Sequence, residues 1–228
     1  MTGVMTMRDT RKTEAYFEDY IAYEQERIRK KTEKLTQCDD EAKAQRISSS
    51  LFLYQINLLI ASFSKGEDET ALTMLFQNCC CTAQKMTTLT YEDALRMVSF
   101  SVMLKCPTEF SKVAEQFSEV FEKDRLLKGL RSFAVSGTAV WEGEYRFPSV
   151  YVGIENVLAA QEKQEKEKAL LSYLSGWYGR NKESAWYGTL NSANDVYYGY
   201  WSFESAAMAV IYELDQKYLA QNEYFPKL

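Results

Sequence analysis

The sequence predicts an all-α protein, a helical bundle of two packed helical subdomains joined by an irregular crossing segment. Three observations lead there. The 228 residues hold only three prolines and ten glycines, set among long runs rich in Ala, Leu, Glu, Lys and Gln, the residues that lose least on entering a helix. Apolar residues recur at three- and four-residue spacing rather than alternating. A hydrophobic content of 46%, with 14% aromatic, is ample for a packed core.

The first helix follows Thr10 or Thr13 and runs through AYFEDYIAYEQERIRKKTEKL. Tyr16, Tyr20, Tyr23, Ile28 and Leu35 make its apolar stripe among paired charges. A second, from about Asp40 to Phe63, ends at Ser64-Lys65-Gly66, where glycine suits a left-handed C-cap. Its window LFLYQINLLIASF is interrupted by Gln55 and Asn57 and is too short to span a bilayer, so a core helix is expected. A third begins at GEDETALTMLF, with acids in the first turn, and reaches about Lys85. Thr90, with Asp93 three residues on, gives a start like a capping box for YEDALRMVSFSVMLKC, which stops at Cys106-Pro107. Helices from Thr108 to Glu122 and from Asp124 to Phe133 follow.

The helical pattern then fails. VSGTAVWEGEYRFPS, beginning at Val135, holds two of the ten glycines, a proline, Trp141 and Tyr145. The expected organisation is therefore an N-terminal helical domain over 1–134, a crossing segment over 135–148 and a C-terminal helical domain over 149–228. In the last of these, helices are expected from Ser149 to Lys163, through EKEKALLSYLSGWYG, at KESAWYGTL and from Tyr200 to Leu214. On that final helix Tyr200, Phe203, Ala207, Val210, Ile211 and Leu214 share a stripe, while Tyr197, Trp201, Met208 and Tyr212 occupy a second face. A helix apolar nearly all round belongs inside a bundle, and Ala206, Ala207 and Ala209 let its neighbours approach. Glu204 is the exception and needs a rim position or a buried partner, such as Arg, Lys or a Tyr hydroxyl.

Composition also narrows function. There is no histidine, which removes Ser-His-Asp and Cys-His pairs, His-ligated zinc and the commonest general base at neutral pH. Five cysteines, three of them consecutive at Cys79 to Cys81, suit a reducing cytoplasm. Successive helical residues diverge by about 100°, so those three thiols do not converge on one metal. Arg8 precedes any apolar run of signal-peptide length, so nothing marks the chain for export. Neither a cofactor nor a metal is expected. The net charge is −5, and no basic residue lies between Lys182 and Lys217, unlike the interleaved cations of a nucleic-acid stacking surface. Up to Ser64 there are ten Lys/Arg and ten Asp/Glu, so the excess of acid lies beyond it. An acidic C-terminal half favours a basic protein partner rather than nucleic acid or membrane.

YYGYWSFESAAMAVIYELD followed by YFPKL resembles the C-terminal signature of the PoNi family, immunity proteins for PoNe-type DNase toxins of bacterial polymorphic and type VI secretion systems. SYLSGWYGRNKESAWYG fits the same domain, while YFEDYIAYEQERI and LLIASFSKGEDETALTML look like the family's N-terminal domain. The resemblance implies an all-helical cytoplasmic protein that neutralises a cognate DNase by binding it. Its signature residues, Tyr200, Trp201, Phe203, Glu204 and Ala207, define the fold rather than a toxin contact. Charge and loop position nominate the toxin-binding residues: Glu142 and Glu144, flanked by Trp141 and Tyr145 as aromatic anchors, with Glu183 and Asp195. A helical scaffold for another bacterial partner stays open. So does an enzyme that uses Glu204 with Glu142 or Glu144 and a metal held by oxygen ligands.

Overall fold

A computed structural model describes residues 7–227. It is 67% helical and has no strand among the described residues. The chain divides into two compact units, the first formed by Met1–Leu89 with Thr189–Gly199, the second by Thr90–Gly188 with Tyr200–Leu228. The segment 135–148 lies inside the second.

The first unit is built on α1 (Glu14–Thr36), α2 (Glu41–Lys65) and α3 (Glu69–Ala83), with α2 packed against both others. Each start is capped as the sequence indicates: Thr13, Asp40 and Asp68 accept from backbone N–H groups three residues on. Gly66 closes α2 at φ 106°, a left-handed cap that side chains disfavour. The whole of α2 is longer than its apolar window suggests. Its 25 residues, with a mean hydropathy of 1.3 over 18 of them, would suffice to cross a membrane by length and composition, yet 67% of that window is buried. Phe52, Ile56, Leu59, Ile60 and Phe63 are the centre of this core.

Residues 189–199 are tied to the rest of this unit by hydrogen bonds of Tyr197 and Tyr198. Ser64 donates its hydroxyl to the Tyr198 carbonyl at 2.8 Å. Tyr16 donates to the Tyr197 carbonyl and accepts from its N–H. The Tyr197 hydroxyl donates to buried Asp9 at 2.5 Å. Tyr197 therefore belongs to a different unit from the helix on whose second face the sequence pattern placed it.

The second unit begins with α4 (Tyr91–Met103), capped by Thr90, whose side chain accepts from the Asp93 N–H at 3.1 Å. The helix expected from Thr108 to Glu122 is two, α5 (Pro107–Gln116) and α6 (Ser118–Glu122), because Phe117 leaves helical geometry at φ −106°, ψ 27°. α7 runs Arg125–Ser136. The helix expected from Ser149 to Lys163 is also broken: α8 (Pro148–Tyr151), a 3₁₀ turn (Val152–Ile154) and α9 (Glu155–Ala159), ended by Ala160 in an extended conformation. Lys163 begins α10 (Lys163–Ser175) instead of ending its predecessor. After α11 (Trp177–Arg180), KESAWYG forms turns that lead into a short 3₁₀ helix (Thr189–Asn191) rather than an α-helix.

α12 covers Phe203–Ile211 and α13 Gln216–Leu219. α12 packs on α4 and α7, with Phe203 and Phe100 rings 4.4 Å apart. It is shorter than the expected Tyr200 to Leu214, since Glu213 turns to φ 51° and stops it. Burial follows the expectation: Tyr200, Trp201, Phe203, Ala206, Ala207, Met208 and Ala209 are buried. Val210, Ile211 and Tyr212 are only half-buried, so the last turn is less enclosed than the pattern suggests.

Candidate functional site: a buried carboxylate and an exposed acidic segment

Glu204 sits in the first turn of α12 with 4% of its surface exposed. Its Oε1 accepts from the Tyr173 hydroxyl at 2.8 Å, the Trp177 indole N–H at 2.7 Å and the Ser202 hydroxyl at 2.7 Å. α10, α11 and the turn before α12 thus converge on one oxygen. Burial pushes its pKa up from the ordinary 4.5 and outweighs these donors, which pull it down. The same burial, reinforced by the carboxylate's charge, raises the Tyr151 and Tyr173 hydroxyls well above 10.

This is the Tyr-hydroxyl partner the sequence called for, joined by a tryptophan and a serine that it did not name. The geometry is that of a structural acceptor. Its three donors, from Tyr173, Trp177 and Ser202, are buried in the core, and no group of three or more metal-ligating side chains exists among the described residues. Neither Glu142 nor Glu144 is among those partners.

The crossing segment is held from within. Buried Asp124 organises it: Oδ1 accepts from the Leu127 N–H, capping α7, and from the Tyr91 hydroxyl at 3.3 Å. Its Oδ2 accepts from the Arg146 N–H at 2.7 Å. Glu155 accepts from Arg125 at 2.6 Å and from the Tyr145 hydroxyl at 2.5 Å, and the Arg125 N–H donates to the Glu144 carbonyl at 3.0 Å. Burial and this carboxylate push the Tyr145 hydroxyl up. Trp141 lies over Gly129 of α7 so closely that a Cβ there would fall 1.8 Å from its ring.

Of the nominated residues, Trp141 and Tyr145 are therefore half-buried and occupied, while Glu142 and Glu144 point outward. Glu142, 67% exposed, pairs with Lys128 at 2.9 Å, which holds its carboxyl below the usual range. Glu183 is exposed on the turn after α11, beside an aromatic array in which the Tyr178 ring stacks on Tyr187 at 4.4 Å and on Tyr224 at 5.5 Å. Asp195 is exposed and belongs to the first unit. The sequence missed Asp124 and Glu155 as organisers. An Asp just before an apolar helical run is a visible N-cap signal, whereas nothing in the sequence announces the reach of Glu155 to Arg125, 30 residues away.

The fold and these sites define an all-helical protein whose best-buried carboxylates serve its architecture and whose free acids lie on the surface. Residues 8–116 match the family described as PoNe immunity protein (PoNi), N-terminal, and residues 122–228 match PoNe immunity proteins (PoNi), C-terminal. The chain belongs to the PoNi family, and membership makes its function toxin-neutralising immunity. The crystal structure of protein PA2201 from Pseudomonas aeruginosa has a similar fold, with a TM-score of 0.72 at 16% identity, over 96% of this chain and 89% of that one. No curated protein matches the sequence.

Proposed function

We propose that this chain neutralises a PoNe-type DNase, delivered by a polymorphic or type VI secretion system, by binding it directly and occluding it. The match of both family domains along the chain carries this reading. A nuclease must be basic where it grips phosphate, and this protein carries a net charge of −5. Glu142, Glu144, Glu183 and Asp195, all exposed, are the acids proposed to meet it. Trp141 and Tyr145 contribute by fixing the segment that carries the two glutamates, which lowers the ordering cost of docking. None of the five cysteines, all among the described residues, forms a disulfide, which supports action in the reducing cytoplasm. Binding needs neither cofactor nor catalysis.

The experiment is association kinetics against a purified cognate PoNe-type DNase domain, at two ionic strengths. Replacing the four acids by Lys is expected to slow association at least tenfold at low salt, with a smaller effect at high salt, because screening weakens steering. An on-rate unmoved by the fourfold change would place the contact elsewhere.

A further inference from the structure

The first unit contains a cleft of about 670 Å³ lined by three helices. α1 contributes Ile28, Thr32 and Leu35, spaced four and three residues apart; α2 contributes Ser48, Leu51 and Gln55, spaced three and four. α3 contributes Asn78 and Cys81, three apart, and Lys85 follows in the turn just past its end. Each wall is therefore one stripe of a helix, the spacing by which a bundle receives a further helix. From Ala44 to Gln55 the floor runs 11 residues, about 16 Å or three turns at the helical rise.

The lining is not finished by the protein itself. The side-chain carbonyl oxygens of Gln45 and Gln55 are buried yet accept no hydrogen bond. Buried polar atoms are ordinarily paired, and two orphan acceptors in one cleft point to donors supplied from outside. Lys85 is the sole charged residue in the lining, so it asks for a carboxylate near the C-terminal end of α3.

We infer that this cleft receives one amphipathic helix of the cognate toxin. The helix inserts small apolar side chains between α1 and α3, donates from polar side chains to Gln45 and Gln55, and sets an acid against Lys85. The inference rests on the immunity reading and adds to it a contact on the N-terminal unit, recognised by shape and hydrogen bonding rather than by net charge.

The test uses the full chain and a cognate PoNe-type DNase domain with its active site inactivated. Thr32→Trp and Asn78→Trp, both at exposed wall positions, fill the cleft and are each expected to weaken binding at least tenfold while leaving the melting temperature within about 2 °C. The double variant Gln45→Leu/Gln55→Leu removes the orphan acceptors, so it should raise the melting temperature of the free protein while weakening the complex. A purely structural role for these glutamines would move both quantities the same way. If the wild type binds the toxin and the Trp variants bind within twofold of it, the cleft inference is wrong and the immunity reading stands. If the wild type does not bind, the choice of partner fails, and the cleft assignment fails with it. Concentration-dependent self-association abolished by either Trp would make a second copy the occupant and overturn the toxin helix.

Discussion

Glu204→Leu should be among the most damaging single changes in the chain. The substitution keeps an apolar side chain in the core but removes the acceptor of three buried donors. Ser202 retains a partner in Ser205 at 2.6 Å, whereas the Tyr173 hydroxyl and the Trp177 indole both donate to Glu204 itself. Leaving two donors unpaired costs about 1–3 kcal/mol each. Relief from burying a carboxylate offsets part of that, so a net loss of about 1–5 kcal/mol is expected. Glu204→Gln retains an acceptor oxygen and should lose only about 1–2 kcal/mol. The two differ further in pH dependence. The folded pKa of Glu204 lies above its unfolded value, so its favourable contribution is complete below about pH 4.5 and declines as pH rises through the folded value. The advantage of wild type over Gln should therefore be greatest near pH 4 and narrow by pH 7. Urea titrations of the three proteins across that range measure both effects. A Leu variant as stable as wild type would show that the donors find other partners, and a constant wild-type-to-Gln gap would mean that burial does not raise this pKa.

Two further outcomes follow from packing. Ala207→Phe should overpack α12, where Ala207 is fully enclosed, and destabilise by about 1–3 kcal/mol; an unchanged melting temperature would contradict that enclosure. Gly129→Ala should expel Trp141 from α7, since the added Cβ lies 1.8 Å from its ring. That substitution is expected to shift Trp emission to the red and to cost about 1–3 kcal/mol, and an unaltered spectrum would refute the close packing.

What could be read from the sequence was what repeats locally. Thr13, Asp40 and Thr90 are short polar side chains before apolar helical runs, and each caps as expected. Gly66 terminates α2 because an αL residue was needed there. The breaks at Phe117 and Ala160 were invisible, since both residues tolerate a helix and tertiary packing decides. YYGYWSFE divides between the two units at Gly199 and Tyr200, which no periodicity could reveal. That Glu204 needs either a rim position or a buried donor was legible from its apolar surroundings, and the structure supplies the donor. The identity of Trp177, 27 residues away, was not.

The acids beyond Ser64 fall into two groups, those engaged in the interior and those at the surface. Asp124 and Glu204 are buried and fully engaged, while Glu155 holds Arg125 and Tyr145. Glu167, also buried, accepts from the Asp215 N–H at 2.8 Å. Such groups contribute to net charge and to the distant field but present no carboxylate for contact. Contact electrostatics therefore falls to surface acids such as Glu144, Glu183 and Asp195. Glu142 is a weaker anchor, because docking a cation there first displaces Lys128. Among single replacements by Lys, Glu144 should accordingly slow association more than Glu142, whose removal also frees a lysine already held in place. An equal or reversed order would show that the Lys128 pair opens readily and that exposure, not prior pairing, decides which carboxylate a partner uses.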